Sequence, residues 1–177
     1  MNLRLKALDL FFPPSLKRRK FLQLMNVTSN AFGVNPPDVA NLSLDDALHA
    51  YALFTRDETQ KSIDRRLLIK NRLFVGGRTL GQELRRILNI RTKEDVLDAA
   101  QILYRMIGID FHRARPGEIE VTRCYFGQFY SSEVCKTMAS LDEGIFAGLS
   151  GDGELKFYQT ITEGNTSCKG TVTLKGL

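Results

Sequence analysis

Cysteine is scarce in this chain of 177 residues, and the first 123 residues contain none. The three cysteines, Cys124, Cys135 and Cys168, all lie in the last third of the sequence. An odd, small number of cysteines argues against a disulfide scaffold, because such scaffolds use cysteines in pairs. No Cys-x-x-Cys pair, a common zinc-ligand spacing, is present either. Because thiols are nucleophilic and bind metals, this segment is the first place to look for chemistry.

Long apolar runs are also missing. No run approaches the about 18 apolar residues that a membrane-spanning helix requires. The apolar residues of the first twelve positions are interrupted by Arg4, Lys6 and Asp9, so this segment is a poor secretory signal. We therefore expect no membrane partner and a cytoplasmic location, which suits an odd number of free thiols.

The two halves of the sequence differ in charge. Residues 1–90 contain 15 Lys and Arg against 8 Asp and Glu, whereas residues 91–177 contain 10 against 12. A basic half can bind nucleic acid or anionic lipid, but amphipathic helices with solvated basic faces give the same asymmetry. The dense basic run, Lys17-Arg18-Arg19-Lys20, is not accompanied by any nucleic-acid-binding motif. We therefore do not expect nucleic acid as a partner.

Helical periodicity dominates the first part of the chain. Ser15, Ser43 and Thr92 precede apolar-periodic segments and are predicted to cap helices. The pair Gly76-Gly77 is predicted to separate two helices, and Gly108 to end the last one. The predicted helices cover about residues 15–31, a segment from 43 onward, 60–73, 79–89 and 92–107.

After Gly108 the apolar period changes from about 3.6 to 2, which indicates strands. Strands are predicted from residue 109 and over 119–126, 154–162 and 167–174. Ser131 is predicted to cap a helix from about Ser132 to Phe146. The sequence therefore predicts a single α+β domain over 1–177. Its helical part covers 1–92, and its α+β part, 93–177, is a small antiparallel sheet with one inserted helix and holds the cysteine cluster.

Within the α+β part, spacing indicates which side chains meet. Alternation along the strands places Cys168 on an apolar, inward face, and Cys124 on the face opposite Val121. Cys135 lies near the start of its helix, where the helix dipole lowers the pKa of a thiol. Asp142 follows seven residues later, on the same face but roughly 10.5 Å along the axis. We expect Cys135 and Asp142 to line one pocket without binding the same ion.

Three interpretations of the cysteines remain open. They can be small buried hydrophobes, as free cysteines often are. They can hold zinc or iron, with Cys124, Cys135 and Cys168 as ligands and a water or a further side chain in the fourth position. Alternatively, Cys135 or Cys168 can act as a nucleophilic or redox thiol.

The segment from about Leu97 to Leu174 resembles the L-2-amino-thiazoline-4-carboxylic acid hydrolase-like family. The resemblance consists of the helix that ends at Gly108, the strand that ends at Cys124, the helix with Cys135 and Asp142, and then Phe157 through Gly164 and Cys168 on the last strands. It implies that water opens a cyclic amidine-like ring at a C–N bond of a small amino-acid-derived substrate. A more distant resemblance is to 4-vinyl-reductase-type ligand-binding domains, which are also α+β and can use cysteines for zinc.

For such a hydrolysis, the catalytic residues are expected to be Cys135 and Asp142, with Asp142 activating water. Arg123 or Lys169 is expected to bind the substrate carboxylate. A metal held by the cysteines can polarise the C=N carbon. The alternatives are a non-catalytic small-molecule-binding or sensor domain, with or without zinc, and a helical interaction module built on the basic half. The sequence is compatible with a homo-oligomer.

Overall fold

A computed structural model describes residues 2–174 of the chain. The helices in this part are α1 (Leu3–Leu10), α2 (Pro14–Phe32), α3 (Leu44–Lys61), α4 (Arg66–Leu88), α5 (Lys93–Met106) and α6 (Ser132–Ser150). The strands are β1 (Ile109–Arg113), β2 (Glu118–Cys124), β3 (Glu154–Gln159) and β4 (Cys168–Thr173). The predicted α+β class is confirmed, although residues 1 and 175–177 of the predicted domain lie outside the described part.

Side-chain caps fix the start of three helices where the sequence predicts them. The Ser43 and Ser131 hydroxyls accept hydrogen bonds from the first turns of α3 and α6, and Thr92 forms a capping box with Asp95 on α5. The prediction that Ser15 caps α2 is wrong. That helix begins at Pro14, because a proline at the first helical position loses no intrahelical hydrogen bond.

The glycine pair at 76–77 does not end a helix, contrary to the prediction from sequence. Helix α4 runs without interruption from Arg66 to Leu88. A Cβ atom on Gly77 would lie 2.5 Å from the Leu141 carbonyl oxygen of α6. The glycine is therefore there for close helix packing rather than for a turn.

The contact between α4 and α6 uses glycines from both helices. On α4, Gly77 and Gly81 lie one turn apart, and on α6, Gly144 and Gly148 do the same. A Cβ atom at Gly81, Gly144 or Gly148 would lie closer to the facing backbone than van der Waals radii allow. Backbone meets backbone along this crossing, so side chains cannot separate the two helices.

The four strands form an antiparallel sheet in the order β1-β2-β4-β3, with α6 connecting β2 to β3. Helix α5 packs against β1 and helix α6 against β3. The inward face of the sheet is apolar and includes Phe111, Ile119, Val121, Leu155 and Cys168. One side of the sheet therefore faces the helices, and the other faces solvent.

The helical part also differs from the prediction at its ends. Helix α1, which the sequence pattern did not predict, buries Leu5 completely and packs against α5. Helix α6 continues four residues past the predicted end, to Ser150, where Gly151 in the left-handed conformation ends it. In residues 2–174, none of the helices combines the length and apolar content needed to cross a membrane.

Candidate functional site: a cavity beside helix α6

A cavity of about 530 Å³ lies between the helices and the inward face of the sheet. Ligand sites of proteins commonly fall within roughly 300–1,000 Å³ and are mostly apolar with a few polar groups. Tyr158, 59% exposed, and Lys136, an exposed side chain, belong to the lining, so the cavity opens to solvent beside them. Its apolar lining includes Leu24, Leu80, Leu84, Leu103, Ile107, Ile109, Val121, Phe126, Met138, Phe146, Leu149, Phe157 and Ile161.

Helix α6 supplies one wall of the cavity through a stripe of side chains at helical spacing. The side chains of this stripe lie three or four residues apart and all line the cavity; they are Cys135, Met138, Asp142, Ile145 and Leu149. The prediction that Cys135 and Asp142 line one pocket is therefore confirmed. Their spacing of seven residues still places them two turns apart, roughly 10.5 Å along the helix.

A β-bulge directs Cys124 into the same cavity. In the β1–β2 ladder, Asp110 pairs with Arg123 and Phe111 pairs with Val121, which leaves Thr122 as an extra residue on β2. An extra residue reverses the alternation of side chains beyond it. Cys124 therefore lies on the cavity side together with Val121, and the prediction that the two occupy opposite faces is wrong.

Cys168 on β4 also belongs to the lining of the cavity. It pairs with Val121 of β2 and is 8% exposed, which confirms the predicted inward orientation. Its sulfur accepts a hydrogen bond of 3.3 Å from the Ile161 N–H. The sheet and α6 thus bring Cys124, Cys135 and Cys168 to one cavity from three different elements.

The predicted zinc or iron site finds no support in this arrangement. Within residues 2–174, no three side chains of His, Cys, Asp or Glu are grouped so that they could hold a metal ion. Cys124, Cys135 and Cys168 share the cavity, but sharing a cavity is a weaker condition than converging on one ion at about 2.3 Å, as zinc–thiolate bonds require.

The electrostatic environment of the thiols favours their neutral form. Burial raises the pKa of Cys124 to about 12 and that of Cys135 to about 11, and it also raises the pKa of Cys168. The prediction that the start of α6 lowers the pKa of Cys135 is wrong. Desolvation outweighs the hydrogen bond that its side chain makes with Thr162, and its own backbone N–H is already bonded to Ser131.

Asp142 is a carboxylic acid in a mostly apolar cavity. Burial raises its pKa to about 7, because desolvation disfavours the charged carboxylate, and a hydrogen bond from Tyr104 opposes this effect. The neighbouring acid Glu143 adds to the increase. Asp142 is half-buried and belongs to the lining of the cavity. Asp142 can therefore change its charge near neutral pH inside the site.

Aromatic side chains form a second wall. Tyr51 packs edge-on against Phe126, and Phe126 stacks on Tyr130, with ring centroids 6.0 and 5.4 Å apart. The Tyr51 hydroxyl is hydrogen-bonded to Thr28 at 2.8 Å, and the Tyr130 hydroxyl to Thr55. These hydroxyl groups are held by the protein, so the rings present mainly their apolar surfaces to the cavity.

Arg123 and Lys169, the predicted carboxylate-binding residues, do not line the cavity. Arg123 is exposed and pairs with Asp110 at 3.0 Å, because it lies beyond the bulge on the solvent side of β2. Lys169 is exposed on β4, next to the inward Cys168. A bound ligand in the cavity would therefore meet other cations first, of which Lys70 and Lys136 belong to the lining.

Sequence reasoning missed the contribution of tyrosines. Tyr104 on α5 stacks on Phe111 and reaches Asp142, and Tyr130 precedes α6. The sequence could have indicated this contribution, because Tyr104 lies beside the apolar stripe of α5 and a buried phenol needs a polar partner. Nothing in the linear sequence indicated that this partner is Asp142, which is 38 residues away.

Comparison with models of known protein families gives no match to this chain, and comparison with curated proteins gives no significant match. The resemblance to the thiazoline-carboxylate hydrolase-like family therefore stays a prediction, and the geometry of the cavity is the basis for a functional proposal.

Proposed function

We propose that this chain is a small-molecule-binding domain whose ligand occupies the cavity beside α6. The observation that carries the proposal is the cavity itself, about 530 Å³ in volume, with apolar and aromatic walls and the Asp142 carboxyl group, whose pKa is about 7. Packed protein interiors rarely contain voids much larger than a water molecule. A space of this size, open to solvent at one edge, is typical of ligand sites.

The chemistry of the walls favours a ligand with a substantial apolar body. The apolar side chains of four helices and the inward face of the sheet surround the space, so burying hydrocarbon there is favourable by about 25 cal/mol per Å². The neutral thiols of Cys124, Cys135 and Cys168 add to this apolar surface, because a protonated cysteine behaves as a small hydrophobe.

The test is binding of a neutral apolar probe, 1-octanol, measured by calorimetry and by the thermal unfolding of the protein. Ala139 lines the cavity one turn from both Cys135 and Asp142, so Ala139→Phe is expected to fill the space and weaken octanol binding at least tenfold. Ala7 is exposed on α1, and Ala7→Phe is the matched control that should leave binding unchanged. Absence of octanol binding to the unmodified protein, or equal binding by both variants, would refute the proposal.

A second candidate function is hydrolysis of a C–N bond in a small cyclic amidine-like substrate, and the position of Asp142 favours it. A carboxyl group with a pKa of about 7 is well matched to general-base catalysis at neutral pH. Asp142 would take a proton from water as the oxygen attacks the C=N carbon, and it would return that proton to the ring nitrogen as the bond between this nitrogen and the carbon breaks. The raised pKa of Cys135 makes this thiol a poor nucleophile, so its expected part is contact with the substrate.

The hydrolysis proposal is tested by assaying ring opening with purified Asp142→Asn and Cys135→Ser variants. Loss of turnover by at least 100-fold in Asp142→Asn, with a smaller loss in Cys135→Ser, is expected for a general base of typical strength. Equal turnover in all three proteins, or none in the unmodified protein, would leave ligand binding as the function of the cavity.

A further inference from the structure

The Asp142 carboxyl group lacks a positive partner inside the protein. Among residues 2–174, no lysine, arginine or histidine forms an ion pair with it, and the charged side chain that acts on it most, Glu143, has the same sign. A carboxylate buried in apolar surroundings without a cation is costly, because its desolvation is not compensated. A ligand that brings a positive charge to this point would remove that cost.

The lysines that line the cavity already have other acids. Lys20 lies 3.3 Å from Glu83 and Lys136 lies 2.6 Å from Glu163, while Lys70 interacts electrostatically with Glu143. Each of these lysines therefore interacts with an acid other than Asp142. The unpaired charge inside the cavity is therefore the negative charge of the Asp142 carboxylate on α6.

Aromatic rings near Asp142 add a second feature that favours a cation. Tyr51, Tyr104 and Tyr130 are each coupled electrostatically to Asp142, and all three line the cavity. The faces of aromatic rings attract cations, by about 0.5–2 kcal/mol. The Tyr104 hydroxyl donates to Asp142, so its oxygen can accept a hydrogen bond from an N–H group at the same place.

We propose that the cavity selects amphiphilic amines, which have an alkyl or aryl body for the apolar walls and a protonated amino group that pairs with Asp142. This inference rests on the proposed binding function and specifies its ligand class. A neutral alcohol of the same shape would use the walls without the charge pair, and a carboxylate would place a like charge beside Asp142.

The experiment compares n-octylamine, 1-octanol and octanoate, which share one alkyl chain, in calorimetric titrations at pH 8. The amine is expected to bind at least tenfold more tightly than the alcohol, and octanoate more weakly than both. Asp142→Asn should abolish the preference for the amine and keep the binding of the alcohol. Glu133→Gln, which removes an exposed acid from the first turn of the same helix, is the matched control and should change neither.

The unmodified protein also provides a test that does not depend on a variant. Since the pKa of Asp142 is about 7, the carboxylate is mostly formed at pH 8 and mostly protonated at pH 6, and the amine should bind about tenfold more weakly at pH 6. The binding of 1-octanol should change little. The titratable groups that interact with Asp142 are Tyr51 of α3, Tyr104 of α5, Tyr130, which precedes α6, Cys135 and Glu143 of α6, and Cys168 of β4. The cavity lining also contains the charged side chains of Lys20, Lys70, Lys136 and Glu163 and the Cys124 thiol.

The thiols and phenols in that set have raised pKa values and stay neutral between pH 6 and 8, so Glu143 is the group whose contribution needs a separate variant. Loss of the amine preference in Glu143→Gln but not in Asp142→Asn would overturn the assignment to Asp142. Equal binding of amine and alcohol would overturn the ligand class and leave the binding function standing. Binding of none of the three probes would overturn both.

Discussion

The two faces of helix α6 are built in opposite ways. On one face, Gly144 and Gly148 let the backbone of α6 touch the backbone of α4. On the other, Cys135, Met138 and Asp142 face a space of about 530 Å³. One helix therefore has a face without room for a methyl group and another that leaves room for a ligand.

This difference suggests a division of roles between the faces. Close contact between α4 and α6 fixes the position of α6, because backbone atoms cannot move aside as side chains can. A helix fixed in this way can carry larger and more polar side chains on its opposite face without collapsing into the space before it. The glycine contact is thus expected to support stability, and the cavity face is expected to support binding.

The largest expected effect is on stability, and it tests the face of α6 that contacts α4 through Gly144 and Gly148. Gly148→Ala would place a methyl group against the backbone of Arg78, Gly81 and Gln82, so we expect a loss of more than about 4 kcal/mol in the free energy of unfolding, or no folding at all. Gly76→Ala is the comparison in α4, because its methyl group would lie 2.8 Å from a Val27 side-chain methyl group and not against backbone, so a smaller loss is expected. Urea unfolding of both variants measures the difference, and similar free energies would show that the close contact is not needed.

The next effect tests the cavity face through the pH dependence of stability. The pKa of Asp142 is about 7 in the folded protein and near 3.8 in the unfolded chain, so the folded state binds more protons between these values. The contribution of Asp142 to stability is therefore expected to fall as pH rises from about 4 to about 7, and to change little above that. Over this range the cost of ionising Asp142 is on the order of 4 kcal/mol.

Asp142→Asn removes this charge, so the variant should gain stability relative to the unmodified protein as pH increases. The gain should be small at pH 4.5 and reach its full value, up to about 4 kcal/mol, near pH 8. Urea unfolding at the two pH values measures it. A gain that is the same at both values would contradict the buried, ionising carboxyl group.

A smaller effect concerns the reactivity of the thiol at Cys135. Because burial raises its pKa from 9.0 to about 11, the thiolate fraction at pH 8 should be roughly 100-fold lower than that of an unperturbed cysteine. Alkylation by iodoacetamide, followed by mass spectrometry, should be correspondingly slow in the folded protein and fast in urea. Rapid labelling of Cys135 in the folded protein would restore the sequence-based prediction of an activated thiol.

The smallest effect concerns the hydrogen bond from Tyr104 to Asp142. This bond lowers the pKa of Asp142, so Tyr104→Phe should raise it further above 7. Titration of the carboxyl carbon by nuclear magnetic resonance measures the change. Phe157→Leu, a change at another lining residue, is a control for altered packing. An unchanged pKa in Tyr104→Phe would mean that the phenol does not act on Asp142.

The sequence was most informative where local rules decide the structure. The caps at Ser43, Thr92 and Ser131 and the change of period after Gly108 predicted most elements and the α+β class. The prediction that the glycines at 76–77 separate two helices was wrong, because glycines occur both where a helix ends and where two helices cross closely. The distinction depends on α6, which begins 55 residues later.

The candidate site was predicted in part. Heptad spacing placed Cys135 and Asp142 in one pocket, and alternation placed Cys168 inward. The bulge at Thr122 reversed the side of Cys124, and a bulge cannot be read from alternation alone. The pKa of Cys135 depends on burial by distant residues, which outweighs the local helix dipole on which the prediction relied.

The central claim is that the cavity face of α6 binds a small apolar molecule, and chemical-shift mapping tests this claim most directly. Titration of ¹⁵N-labelled protein with 1-octanol should shift amide signals of residues along the cavity, such as Cys135, Asp142 and Ile161, and leave those of exposed residues outside the lining, such as Ala7 of α1, nearly unchanged. Shifts that are absent, or spread over the exposed surface without a maximum at the cavity, would contradict the account.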